Sequence, residues 1–182
     1  MFSMQPRVSS VKTAWLSSEV LSFLCDEAAN KSPQETGGVL LGYWSENPGV
    51  PVITNAVGPG PRAVHQERRF VPDYDFQDKE IERLYLESGR RLEYLGDWHS
   101  HPGEAGYLSK KDRTTLARIA VASEKSNGRA IMLILAYGPK WEVALWAAQK
   151  IRRSPCWARF EIEQMSVRSF QSNPSPATSS IS

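Results

Sequence analysis

The stretch from Leu92 to Asp112 constrains the fold most. Leu92 to His101 reads as a strand, and Pro102, Gly103 and Gly106 then turn the chain back on itself. Ser109-Lys110-Lys111-Asp112 opens a helix. Alternate residues on a strand share a face, so His99 and His101 can converge on one point without backbone distortion. Asp112 falls in the first helical turn, where its carboxylate can face the pair. Two imidazoles and one carboxylate leave a fourth position open, which is the ligand count of a catalytic rather than a structural zinc site. Each half also has a plain reading: two histidines on a strand are more often surface or core residues, and Ser109-x-x-Asp112 is an ordinary capping box. Capping and ligation are compatible roles for one turn, and together the halves are far more specific than either.

Ser17 or Ser18 is expected to cap a helix running to about Ala29, with Val20, Leu21, Leu24 and Ala28 on one face. Thr36 to Trp44 reads as a buried strand whose glycines mark close backbone approach. Val50 to Val57 reads as a second strand, Gly58-Pro59-Gly60-Pro61 as a loop, and His65 to Val71 as an extended edge segment. Pro72-Asp73 starts a helix with Tyr74, Gln77, Ile81, Leu84, Tyr85 and Ser88 at helical spacing, stopped by Gly89. The helix from Ser109 turns Leu116, Ile119, Ala120 and Ser123 inward and ends near Asn127-Gly128. Ala130 to Ala136 and Glu142 to Ala148 form a hairpin. Beyond Ile151 the pattern fades. The expected organisation is an N-terminal arm (1–14), one domain (15–166) and a disordered Ser/Pro-rich tail (167–182). The fold class is α/β, a mixed sheet sandwiched by helices.

The chain has 182 residues, 41% hydrophobic and 23% charged, which suits one globular domain with a real core. The net charge of +2 gives no argument for nucleic acid as a partner. The late basic residues Lys150, Arg152, Arg153 and Arg159 read as a solvated face. Cys25 and Cys156 fit no C-x-x-C pattern and are expected as buried thiols in a reducing compartment. No run approaches a membrane span, and Met1 to Arg7 is not followed by an apolar signal segment, so the expected location is cytoplasmic.

The motif around the histidines resembles that of the JAMM (MPN-plus) metallopeptidases: an upstream Glu, His-Ser/Thr-His-Pro, seven residues counting that Pro, then Ser, two residues and Asp. The chain reads His99-Ser100-His101-Pro102, through Leu108, to Ser109 and Asp112, with no departure. Glu35-Thr36-Gly37-Gly38-Val39-Leu40-Leu41-Gly42 matches the family's Glu-x-x-Gly-x-Leu-x-Gly strand. The resemblance covers roughly residues 15 to 150 and implies the cytidine-deaminase-like JAB/MPN fold. Gly58 to Pro61, Phe70-Val71-Pro72-Asp73, Phe76-Gln77 and Tyr94-Leu95-Gly96-Asp97-Trp98 are similar to a narrower bacterial branch. That branch is found beside ubiquitin-activating and conjugating enzyme homologues, often in antiphage operons with a cyclic-oligonucleotide synthase.

The resemblance implies one Zn²⁺ held by His99, His101 and Asp112, with Glu35 as the base that passes its proton to the leaving amine. On residues alone Asp97, which shares the face of His99, and Glu104 compete with Glu35. Ser109 caps the helix or donates to a developing oxyanion, and the resemblance favours the second. Ser100 is expected to point away from the metal and hold the strand. His65 is expected at the surface or in a substrate groove, not as a ligand. A substrate tail would enter extended, by strand addition near His65 to Val71, with Gly-Gly suited to a narrow passage. Phe70 can line that passage, whereas Trp98 and Phe76 read as core. The implied substrate is a ubiquitin-like or C-terminally conjugated protein, cut from its target. Alternatives are a peptidase trimming a sulfur-carrier C-terminus and a non-catalytic MPN scaffold, which would lose ligands that this chain keeps. The RadC type usually shows His-Asn-His-Pro-Ser-Gly, and Ser100 and Gly103 argue against it.

Overall fold

The computed structural model describes residues 12–46, 49–123, 126–138, 140–151 and 159–171. In chain order the elements are β1 (Thr13–Ser17), α1 (Ser18–Lys31), β2 (Gly37–Trp44), β3 (Pro51–Val57), β4 (Val64–Gln66), β5 (Arg69–Val71), α2 (Tyr74–Glu87), β6 (Glu93–Pro102), α3 (Lys110–Ala122), β7 (Arg129–Tyr137), β8 (Trp141–Ile151) and β9 (Arg159–Phe170). The main sheet runs β1-β3-β2-β6-β7-β8-β9 and closes because β1 also pairs with β9. The β1–β3, β1–β9 and β6–β7 pairs are parallel and the others antiparallel. β4 and β5 form a separate two-stranded hairpin.

Side-chain alternation on β7 shows how the layers are built. Ile131, Leu133 and Leu135 face the inside, where they meet Val20, Leu24 and Ala28 of α1 in one cluster with Leu16, Leu40, Ile53, Leu95 and Trp98. Ala130, Met132 and Ile134 face outward and pack against Leu116 and Ala120 of α3. Val39, Leu41 and Val57 form the third cluster, covered by Phe76, Ile81 and Leu84 of α2. The mixed sheet thus has helices on both faces, as expected. The sheet also closes on itself into a barrel, with α1 packed against its inner face and α2 and α3 against its outer face. Glycines allow the tight strand contacts: a Cβ at Gly96, whose φ is +151°, would overlap the carbonyl oxygen of Ile131, and one at Gly38 would overlap that of Val57. Among the described residues no helix is long and apolar enough to cross a membrane.

Two boundaries need correction. The arm assigned to 1–14 gives Thr13 and Ala14 to β1, and the tail assigned to 167–182 gives Val167 to Phe170 to β9. These segments pair with each other, from Thr13↔Ser166 to Ser17↔Phe170, across some 150 residues of chain. β9 reads poorly as a strand because its buried face switches: Phe160 and Ile162 pack outward, whereas Met165 and Val167 pack inward. The rest of the tail, 172–182, and the basic residues Arg152 and Arg153 lie outside the described residues, as does Cys156. Cys25 is half-buried with a free thiol, pushed up by burial and by Asp26.

Candidate metal centre and its groove

β6 delivers His99 and His101 to the outer face of the barrel, and the turn from Gly103 to Leu108 brings α3 back over them. His99 Nε2 lies 2.9 Å from His101 Nε2 and 3.6 Å from Asp112 Oδ1, and His101 Nε2 lies 4.0 Å from Asp112 Oδ2. Ligands about 2.0–2.1 Å from a tetrahedral ion sit about 3.3 Å apart, so these spacings bracket a first coordination shell. One ligand atom from each residue lies within 4.8 Å of the others, and these three form the group able to hold a metal among the described residues. Burial pushes His99 down to about 4, against the pull of Asp112, so its ring is neutral and its lone pair available at neutral pH.

The capping box anticipated at Ser109 is formed. Ser109 Oγ accepts from the Asp112 amide at 3.2 Å, and the Ser109 amide donates to Asp112 Oδ2 at 2.9 Å. Burial works against the Asp112 carboxylate. His99, the hydroxyl and amide of Ser109, and His101 outweigh it and hold the group below its usual range. The cap therefore leaves the carboxylate ionised and aimed at the imidazoles.

Glu35 precedes β2, beside β6. Ser100, between the two histidines, is fully buried and points inward. Its Oγ accepts from the Thr36 amide at 3.0 Å, and its own amide donates to the Thr36 carbonyl at 2.8 Å. This ties the strand of the ligands to the residue after Glu35, the strand-holding role expected of Ser100. Burial raises the Glu35 carboxyl above its ordinary value; His101 and Lys111 oppose the rise, while Asp112 and Glu104 add to it. A Cβ at Gly37 would lie 3.0 Å from the Cβ of His99, so the glycine lets β2 approach the ligand strand.

A groove of about 810 Å³ runs over this surface, lined by Glu35, Asp97, His99, His101, Ser109 and Asp112 among others. Phe70 and Pro72 form part of its wall, and Tyr74 and Tyr107 line it while remaining exposed. Asp97 lies outside the metal group: its carboxylate accepts from Tyr94 Oη at 2.6 Å, and burial pushes its pKa up. Glu104 pairs instead with Arg68 at 3.7 Å. Trp98 is core, 1% exposed, with Nε1 donating to the Val57 carbonyl, and Phe76 packs from α2 against Val39, Leu41 and Val57. His65 lies outside the metal group, as expected, and is half-buried. Its Nδ1 lies 3.0 Å from the Glu35 carbonyl oxygen, a contact with no signal in the sequence because 30 residues separate the partners.

The profile of the prokaryotic homologues of the JAB domain matches residues 17–154, which span every site residue described above. A probable metalloprotease, y4qB, of Sinorhizobium fredii is 33% identical over 162 residues, 88% of this chain and 98% of that protein. A CD-NTase/cGAS isopeptidase of Enterobacter hormaechei is 26% identical over 136 residues, 75% of this chain and 74% of its own. The solution structure of protein DSY2949 from Desulfitobacterium hafniense shares the fold, with a TM-score of 0.61 at 15% identity over 87% of this chain and 94% of that one. A match across three quarters of the sequence, one that takes in the strand, turn and helix bringing the two histidines to the aspartate, makes the chain a member of the prokaryotic JAB-domain family.

Proposed function

We propose that the protein is a zinc-dependent peptidase that hydrolyses the amide joining the C-terminus of a ubiquitin-like or otherwise conjugated protein to an amine of its target. The observation that carries this reading is the cluster of His99, His101 and Asp112, with one side facing a groove that also holds a carboxyl group of raised pKa. His99, His101 and Asp112 would hold one Zn²⁺ per chain, a set that suits zinc better than softer or harder ions. When bound, the ion supplies a Lewis acid and lowers the pKa of a coordinated water to about 7. Glu35 takes the proton of the attacking water at its carboxylate and delivers it to the leaving nitrogen as the C–N bond breaks. A pKa above the ordinary carboxylate range suits a group that must act first as base and then as acid. The Ser109 hydroxyl, which supports Asp112 at rest, offers its proton to the carbonyl oxygen that gains charge.

The groove's shape supports an extended substrate tail. β5 pairs only with β4 among the described strands, and Phe70 on it lines the groove, so its other edge is available for strand addition. The similarity to a protein named as an isopeptidase supports a conjugated protein as substrate. The resemblance of the sequence to the narrower bacterial branch extends the proposal to ubiquitin-activating and conjugating enzyme homologues as pathway partners in antiphage defence. The same reading puts the protein in the cytoplasm and needs neither nucleic acid nor membrane. Elemental analysis of the purified protein beside His101→Ala tests the centre first. About one zinc per chain in the wild type, lost in the variant, is expected; no zinc in either would favour a scaffold.

A further inference from the structure

Glu35 is held by its backbone on both sides, and both holds come from the β4–β5 hairpin. Its amide donates to the carbonyl of Gln66 at 2.8 Å, and its carbonyl oxygen lies 3.0 Å from Nδ1 of His65. A carbonyl only accepts, so Nδ1 carries the proton and donates. The His65 ring is itself braced by Phe70 across the hairpin, with centroids 5.5 Å apart. Phe70 in turn sits over Gly37, where a Cβ would come within 3.0 Å of its Cε1. The contacts close a circuit from Glu35 through His65 and Phe70 to Gly37, two residues beyond Glu35. Each strand of the hairpin has three residues, and a two-stranded ribbon of that size is marginal alone. Its tip reaches the turn that follows the two histidines through the Arg68–Glu104 pair at 3.7 Å, exposed by 87% and 44%. Such a pair contributes little. The bonds to Glu35 tie the hairpin to the start of β2, and in the same measure they hold the backbone of Glu35.

We infer that His65 is a positioning residue: its Nδ1–H holds the Glu35 carbonyl so that the carboxylate stays aimed over the three ligand residues. The inference rests on the peptidase reading for its catalytic consequence, but its structural part stands apart from it. Two zinc-loaded variants separate the outcomes. His65→Ala removes the donor, and His65→Asn restores an N–H near the position of Nδ1.

The first readout is exchange of the Glu35 amide, followed residue by residue by NMR. His65→Ala is expected to speed it about ten-fold, the effect of one lost hydrogen bond, and His65→Asn to stay within about two-fold of wild type. The second is cleavage of a Gly-Gly-ended ubiquitin-fold protein fused through its C-terminus to a fluorescent reporter. With His65→Ala, kcat should fall about ten- to a hundred-fold, with KM within about three-fold and zinc content unchanged, and His65→Asn should recover most of the loss. Unchanged exchange in His65→Ala would overturn the inference. So would an Asn variant as impaired as the Ala one, or faster exchange with kcat intact. If the wild type cleaves no fusion, the peptidase reading falls, and the exchange comparison still decides whether His65 holds Glu35.

Discussion

Glu35 combines partial burial with a position facing His101, Asp112 and Lys111, and each of these affects its proton. Its folded-state pKa lies above the usual value, and in the proposed mechanism its ionised form is the base. Catalysis should therefore be present above that pKa and lost as pH falls through it. His99 is pushed down and Asp112 held low, both shifts favouring the deprotonated forms. The acid limb of kcat/KM should thus carry a contribution from Glu35, with its inflection above the ordinary value for a glutamate. Measuring bound zinc at each pH guards against ligand protonation as the cause. Glu35→Gln should keep zinc and the melting temperature but lower kcat by about 10²- to 10⁴-fold. Activity retained in that variant would leave Asp97 or Glu104 as the base.

At the scale of elements, the site depends on how β2 and β6 meet. Ser100 Oγ is the partner of the buried Thr36 amide. Ser100→Ala leaves that donor unpaired and is expected to destabilise the fold by about 1–3 kcal/mol. It should also lower kcat, because the Glu35 segment loses a tie to the ligand strand. Chemical denaturation beside zinc analysis would show stability lost with stoichiometry kept. Gly96→Ala should be more severe. It places a Cβ against the Ile131 carbonyl and forces a non-glycine residue to φ +151° at the β6–β7 junction. A drop of several kcal/mol, or failure to accumulate as folded protein, is the expected result.

For the whole molecule, closure of the barrel rests on the parallel pairing of β1 with β9. A chain ending after Ser166 loses the partners of Ala14 to Ser17 and uncovers the inner cluster beside Val167. It should melt at clearly lower temperature and unfold with weaker cooperativity in a thermal scan. A chain ending after Gln171 keeps every described barrel pairing and should melt and cleave as the full-length protein does. Equal melting of the two truncations would show that the closing strand contributes nothing.

The candidate metal group was legible because it is local: His99 and His101 share a strand face by the two-residue repeat, and a seven-residue turn returns the chain to Asp112 on the first turn of α3. The same locality made α1, α2, α3 and the β7–β8 hairpin readable from caps, spacing and turn residues. What lay beyond reach were contacts between distant segments. β9 carries its apolar residues first on one face and then on the other, so neither its existence nor its pairing with β1 shows as a period. Asp97 and Glu104 were equal to Glu35 on the sequence. The tertiary structure gives the three different partners: Asp97 accepts from Tyr94, Glu104 pairs with Arg68, and the backbone of Glu35 is held by Gln66 and His65. Spacing along a chain fixes which side chains one element can present, whereas burial and hydrogen bonds between elements decide which of several like groups is held in place to act.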